Sequence, residues 1–133
     1  LGSEELDEQM MIMATDLVNI RLSKGANEVA DQLIATGYFD YATTAAKFAL
    51  AYALKNHFDE INPDTYSIPD SEGNNYNVGS IDSDGQLALL LRALYPDMNT
   101  PYLYARALMV FGLTKLRERI ERDGLQSISA FLD

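Results

Sequence analysis

Near the amino end, Asn19, Arg21 and Ser23 stand at every second position, with Val18, Ile20 and Leu22 between them. A repeat of two is the period of a half-buried strand, so Leu17 to Ser23 is expected to be one. Paired with a copy of itself, such a strand makes a two-stranded ribbon that fits the DNA major groove. There Asn can pair with adenine and Arg with guanine. The other reading of the same residues is an ordinary half-buried strand with three solvated polar side chains. Asn19, Arg21 and Ser23 are thus candidate DNA-contacting residues, and Val18, Ile20 and Leu22 the apolar side of the pairing.

The elements that would hold this strand follow from the periodicity downstream. Ser23 can accept hydrogen bonds from the free amides of a helix whose apolar positions, Ala26, Val29, Ala30, Leu33 and Ile34, recur at three and four and which stops at Gly37. Asp40 is placed to cap a second helix, about Tyr41 to Asn56, with Ala42, Ala45, Ala46, Ala49, Leu50, Ala53 and Leu54 on one side. Phe48, Ala51 and Tyr52 broaden its apolar band, so it is buried either in its own domain or against another subunit. Residues 59–86 form a long polar loop or irregular hairpin, in which Tyr66 to Ile68 and Tyr76 to Ile81 are candidate extended pieces. Ser83 and Gln86 have the spacing of a capping box ahead of a leucine-rich third helix that ends before Pro96. Thr100 and Pro101 open a long fourth helix running to Gly124, and the last nine residues suit a short docking helix.

Other clusters suggest less chemistry. Asp82, Ser83, Asp84 and Gly85 resemble half of a calcium loop, but the outer ligand positions hold Ser80 and Leu91, so a helix cap and turn is expected and no metal site. His57, the only histidine, is followed by Asp59 and Glu60. It could work as a base beside a carboxylate, or simply meet the free carbonyls at a helix end. Lys115, Arg117, Arg119 and Arg122 alternate with Glu118 and Glu121, the pattern of a solvated helix face. There is no serine elbow, glycine-rich phosphate loop or paired-histidine zinc motif, and the absence of cysteine removes thiolate catalysis and disulfides. No catalytic residue and no cofactor is expected, and the chain is not read as an enzyme.

Of the 133 residues, 20 are acidic and 10 basic, a net charge of −10. The acidity is local: residues 1–13 carry four acids and residues 58–86 carry seven, neither with a base. Phosphate backbones repel such a protein overall, yet binding depends on the face presented. No uncharged apolar run approaches the roughly 20 residues of a membrane span, since Phe48 to Leu54 is closed by Lys47 and Lys55. Leu1-Gly2-Ser3 reads as a scar of a cleaved tag, followed by an acidic tail to residue 13; residues 14–133 are expected to form a single helical domain, cytoplasmic in location.

The segment Val18-Asn19-Ile20-Arg21-Leu22-Ser23, an amphipathic helix, Gly37 and a second apolar helix resemble a ribbon-helix-helix unit. The longer order is more specific. An Ile-Arg-Leu-Ser-Lys start, a helix, an alanine- and leucine-rich helix to Leu54, a polar loop with Gly73 and Asn75, then Leu87 to Leu91 and a final long helix resembles the DndE-like family of DNA sulfur modification proteins. The likeness spans about Asn19 to Arg119. It implies a mainly helical, self-associating protein without catalysis, acting beside separate subunits in bacterial phosphorothioation of DNA. Arg21 and Lys24 carry over as DNA-contacting positions, with Lys47 and Lys55 further out. The acidic tail and loop depart from the family and point toward protein partners within a DNA-modification or anti-phage defence complex.

The expected architecture is therefore mainly α: a short N-terminal strand, about four helices and a long polar loop between the second and third. Copies would associate by pairing strands through Val18, Ile20 and Leu22 and by burying Ala45, Ala49 and Ala53. The function expected is a non-catalytic assembly subunit that touches DNA through Asn19, Arg21, Ser23 and Lys24. The alternative is a ribbon-helix-helix repressor or antitoxin. A third class, a small enzyme built on His57 with Asp59 or Glu60, has no substrate that the sequence suggests.

Overall fold

A computed structural model describes residues 16–132. In order, the chain forms β1 (Asn19–Arg21), α1 (Lys24–Ala35), α2 (Ala42–Asn56), a 3₁₀ turn at Phe58–Glu60, β2 (Asn75–Asn77), the single turn α3 (Val78–Ile81), α4 (Gln86–Leu94), α5 (Pro101–Asp123) and a 3₁₀ segment at Leu125–Phe131. It is mainly helical, with one two-stranded antiparallel sheet. The tag scar and acidic tail lie outside the described residues.

α5 is the spine. Between Ala105 and Leu116 it is buried on nearly every side, including Leu108, Met109, Val110 and Leu113 at 0 % exposure. α2 packs along it more extensively than any other pair of elements, and α1, α4, β1 and the C-terminal 3₁₀ segment also lie against it. That answers the question left open by the apolar circumference of α2: its small residues Ala45, Ala46, Ala49 and Ala53 are buried inside the chain's own core. The approach is close because α5 presents Gly112 there. A Cβ built on Gly112 would lie 2.1 Å from the Ala49 carbonyl oxygen, so only glycine fits.

Local signals set most helix ends. Ser23 Oγ accepts from Ala26 N at the start of α1. Gly37, at φ +84°, follows its end, and Gly124, at φ +88°, follows α5. Pro101 occupies the first turn of α5, where its missing N–H costs nothing.

Three expected caps are different. Tyr41, not Asp40, precedes α2 and makes no side-chain cap. Thr100 makes none for α5; instead Asp16, far away in sequence, accepts from Leu103 N at 3.0 Å and Tyr102 N at 3.3 Å. For α4 the capping group is the Asp82 carboxylate, which reaches Leu87 N (2.9 Å) and Ala88 N (3.0 Å), with Asp84 bonded to Gln86 N. Two acceptor oxygens satisfy two orphan amides where the Ser83 hydroxyl would have satisfied one.

The polar loop also carries structure. Asn75–Asn77 pairs with β1, and the stretch expected to stay extended to Ile81 turns into α3 after Asn77, whose side chain accepts from Gly79 N. The closing residues dock as expected, though as a 3₁₀ segment, with Ile128 buried and Phe131 edge-on to Tyr52.

Candidate nucleic-acid interface

The expected strand forms, shorter than read, and finds its partner inside the same chain. β1 and β2 align Asn19 with Asn77, Ile20 with Tyr76 and Arg21 with Asn75. Residues directly opposite in a sheet share a face, as do alternate residues of one strand. Asn19, Arg21, Asn75 and Asn77 therefore lie on one face, and all four are exposed. Ile20 and Tyr76 turn to the other, where Ile20 is completely buried.

The chain secures this ribbon with hydrogen bonds at both ends. Val78 N donates to Val18 O at 3.0 Å, Leu22 N to Asn74 O at 3.0 Å, and Gly73 N to Leu22 O at 2.9 Å. Gly73 is pressed so close to β1 that a Cβ on it would lie 2.5 Å from Leu22 O. Arg21 Nη1 donates to Gly73 O at 3.0 Å, tethering the guanidinium to the loop. On the far edge, Arg106 Nε donates to Arg21 O (2.8 Å) and Arg106 Nη2 to Ser71 Oγ (2.9 Å).

The start of α1 is held to the same loop. Asp70 Oδ1 accepts from Lys24 N (2.8 Å) and Glu72 N (3.0 Å), and Asn27 Oδ1 accepts from Asn74 N (2.7 Å). The amides of Glu72 and Lys24 hold the Asp70 carboxyl below its ordinary range. Beside it, a surface cavity of about 260 Å³ is lined by Ser23, Gly25, Pro69, Asp70, Thr114 and Arg117. Arg117 bridges Gly25 O (3.1 Å) and Glu28 (2.9 Å). Four cations, Arg21, Lys24, Arg106 and Arg117, thus gather around β1 and the start of α1, with Asp70, Glu72 and Glu28 among them.

The predicted site residues separate on these coordinates. Asn19, Arg21 and Lys24 are exposed, whereas Ser23 is only 3 % exposed because its hydroxyl caps α1. Of the expected interface residues, Ile20, Leu22, Ala45, Ala49 and Ala53 are at 0 %, used within the protomer, and Val18 alone is exposed, at 73 %. Within the chain, β1 pairs with β2. Lys47 and Lys55 are exposed on α2, away from the ribbon residues in sequence. Sequence reasoning missed Asn75, Asn77 and Arg106; only the flanking Gly73 and Gly79 punctuate so short a strand.

The remaining candidates make contacts within the fold. His57 Nδ1 bonds Glu60, which also meets Lys115 Nζ at 3.4 Å, and Lys115 meets Glu118 at 3.3 Å. The histidine ring lies against Tyr52 and Phe111, so the cluster ties the end of α2 to α5. His57 and Lys115 pull the Glu60 carboxyl down. Arg119 stacks over the Phe131 ring, 4.6 Å from its centroid, and Arg122 pairs with Asp123. Asp82 is a cap and a junction: burial pushes its pKa up, but the amides of Leu87 and Ala88 and the Tyr102 hydroxyl, at 2.8 Å, more than offset this, so it lies below the usual value. Among the described residues no group of three His, Cys, Asp or Glu could hold a metal ion, and no helix is long and apolar enough to cross a membrane. Compared with protein-family models, curated proteins and solved structures, the chain matches none of them.

Proposed function

We propose that the chain is a non-catalytic, self-associating accessory subunit of a bacterial DNA-modification complex of the phosphorothioation type, or of a related anti-phage defence system, and that it meets DNA through the ribbon face. One observation carries the DNA contact: Asn19, Arg21, Asn75 and Asn77 stand exposed on one face of a two-stranded ribbon, with no carboxylate among them. Ribbons of this kind read base edges, Asn with adenine and Arg with guanine. Arg21, Lys24 and Arg106 supply positive charge at the rim. The net charge of −10 keeps the rest of the surface off the duplex, so contact is confined to this face.

The order of strand, α1 and α2 agrees with a ribbon-helix-helix-like start whose second strand comes from the chain itself. With Ile20, Leu22 and the α2 alanines enclosed, copies associate through other surfaces. The sulfur chemistry belongs to partner subunits.

The test is fluorescence anisotropy with labelled intact and nicked duplexes across a salt series, alongside a light-scattering mass. The parent is expected to bind at low salt and weaken as salt rises. Arg21→Glu should lower affinity by about tenfold or more, as for loss of a base contact. Lys24→Glu should flatten the salt dependence by about one unit of log-log slope, as for loss of a phosphate contact. A parent that ignores DNA at low salt, or variants that bind as the parent does, would remove the DNA contact. A monomer at every concentration would remove self-association.

A further inference from the structure

Four of the seven large hydrophobic side chains exposed on the described residues lie together. Leu89, Leu90 and Leu94, at 59 %, 46 % and 39 %, are on α4, and Phe58 stacks on Tyr95 just past the end of that helix, 5.6 Å between centroids. Ala88 and Leu91 turn inward, while Leu89, Leu90, Ala93 and Leu94 repeat at three and four along the outer side. Scattered apolar side chains are ordinary on a surface; a contiguous stripe with a charged rim marks a place where something docks.

The rim is acidic. Asp84 stands just before α4 and Asp97 just after it, and Asp59 follows Phe58. Tyr95 meets the Tyr104 ring edge-on at 5.1 Å, and burial, then the charge of Asp64, raise the Tyr104 hydroxyl. These four carboxylates are exposed, and none makes a salt bridge, although every Lys and Arg of the chain lies within the described residues. Asp82 is spent on its cap. The cations on this side are Arg92 on α4 and Lys47, near Asp82, while Lys115 is held by Glu60 and Glu118.

That balance decides among occupants. A second copy laid on the stripe would bring carboxylates together: Asp84 meets Asp97 if the two helices run antiparallel, and its own counterpart if they run parallel. The phosphates of a lipid surface or a duplex are repelled in the same way. We propose that this face receives a basic amphipathic helix of another protein, its apolar positions against the α4 leucines and its Lys or Arg residues on the flanks, over the acidic rim. α4 is about 13 Å long, so a partner helix of about four turns covers the stripe and both acidic ends. Docking here requires nothing of the ribbon face.

The probe is a fluorescein-labelled peptide of about 14 residues with leucines at i, i+3, i+4 and i+7 and lysines on both flanks. Two controls accompany it: the same composition in scrambled order, and glutamate in place of every lysine. Anisotropy against the full chain at about 0.15 M salt should show saturable binding of the first peptide only. Leu90→Asp with Leu94→Asp should weaken it about tenfold or more, although the change makes the protein more acidic. Asp84→Asn with Asp97→Asn should weaken it a few-fold and flatten its salt dependence. Asp31→Asn with Glu121→Gln, exposed acids on α1 and α5, should leave it unchanged. No binding of the first peptide, equal binding of the scrambled one, or leucine variants that bind as the parent does would overturn the proposal. So would aspartate variants that bind like the parent, or a light-scattering mass that drops only in the leucine variants, which would make a second copy the cover.

Discussion

Gly112→Ala tests the central packing of the molecule, because two effects of known size oppose each other at this position. In an isolated helix the substitution would stabilise by about 1 kcal/mol, since alanine loses less backbone entropy than glycine. In α5 the new Cβ would sit 2.1 Å from Ala49 O, 2.6 Å from Ala49 C and 3.3 Å from Ala49 Cα. These are backbone atoms of α2 and cannot rotate away. To restore an ordinary contact the two helices must part locally by about 1 Å or more, which loosens Ala45, Ala53, Met109 and Leu113, all fully buried. Overpacking of this kind costs about 1 to 3 kcal/mol or more, and a rigid obstacle places it at the upper end. The net expectation is a loss of about 2 kcal/mol, or roughly 6 to 10 °C in Tm for a domain of this size. The control is Gly25→Ala, near the start of α1, where the nearest atoms to the Cβ would be those of the Arg117 guanidinium, Nη1 closest at 3.2 Å. A guanidinium can move, so this variant should match or exceed the parent in Tm. Thermal and urea unfolding followed by far-ultraviolet circular dichroism reads both. A Gly112→Ala protein as stable as the parent, or more so, would mean that α2 and α5 do not cross as described.

The caps give further tests by the same unfolding assay. Asp16→Ala should cost about 1 kcal/mol through the two freed amides of α5, while Thr100→Ala should be near neutral; equal losses would refute the long-range cap. Asp82→Asn should cost about 1 to 2 kcal/mol, because it weakens two amide contacts and the bond from Tyr102. The depressed folded pKa of Asp82 makes its contribution present above the ordinary aspartate range and lost as pH falls through the folded value, so the Asn variant should show a shallower acid decline. Tyr102 has the opposite sign: burial, then the bond to and charge of Asp82, push it up to about 12 from 10. The stability it contributes is present below pH 10 and lost between pH 10 and 12, and Tyr102→Phe should remove that alkaline step. An unchanged alkaline profile in the Phe variant would exclude Tyr102 as its source.

What could be read from the sequence and what could not divides along contact range. Ser23, Gly37, Pro101 and Gly124 act on the backbone within a few residues of themselves, so the helix ends they set are legible in the residue types. Asp16 acts on amides 86 and 87 residues away, and nothing near it in sequence announces that. The ribbon shows the same division. The alternation of Asn19, Ile20 and Arg21 is local and gives the strand and its outward face, but the identity of the pairing strand depends on the loop folding back over α1. Asn75-Tyr76-Asn77 is too short and too polar to register as a strand by itself. Asp70, Asn27 and Arg106 fasten the loop, and this lays an intramolecular partner against one edge of β1. On that edge the backbone groups of Val18 and Leu22 are already bonded to Val78, Asn74 and Gly73. The same physics reassigns the apolar surplus. α2 looked half-free because its band is too wide for one neighbour, but Gly112 lets α5 come close enough to cover it. The leucines of α4 have no such partner among the described residues, so the side chains that most need one belong to a helix the sequence marks as ordinary. The apolar surplus of the described residues thus sits on α4, where Leu89, Leu90 and Leu94 are exposed, while the ribbon's outer face is polar.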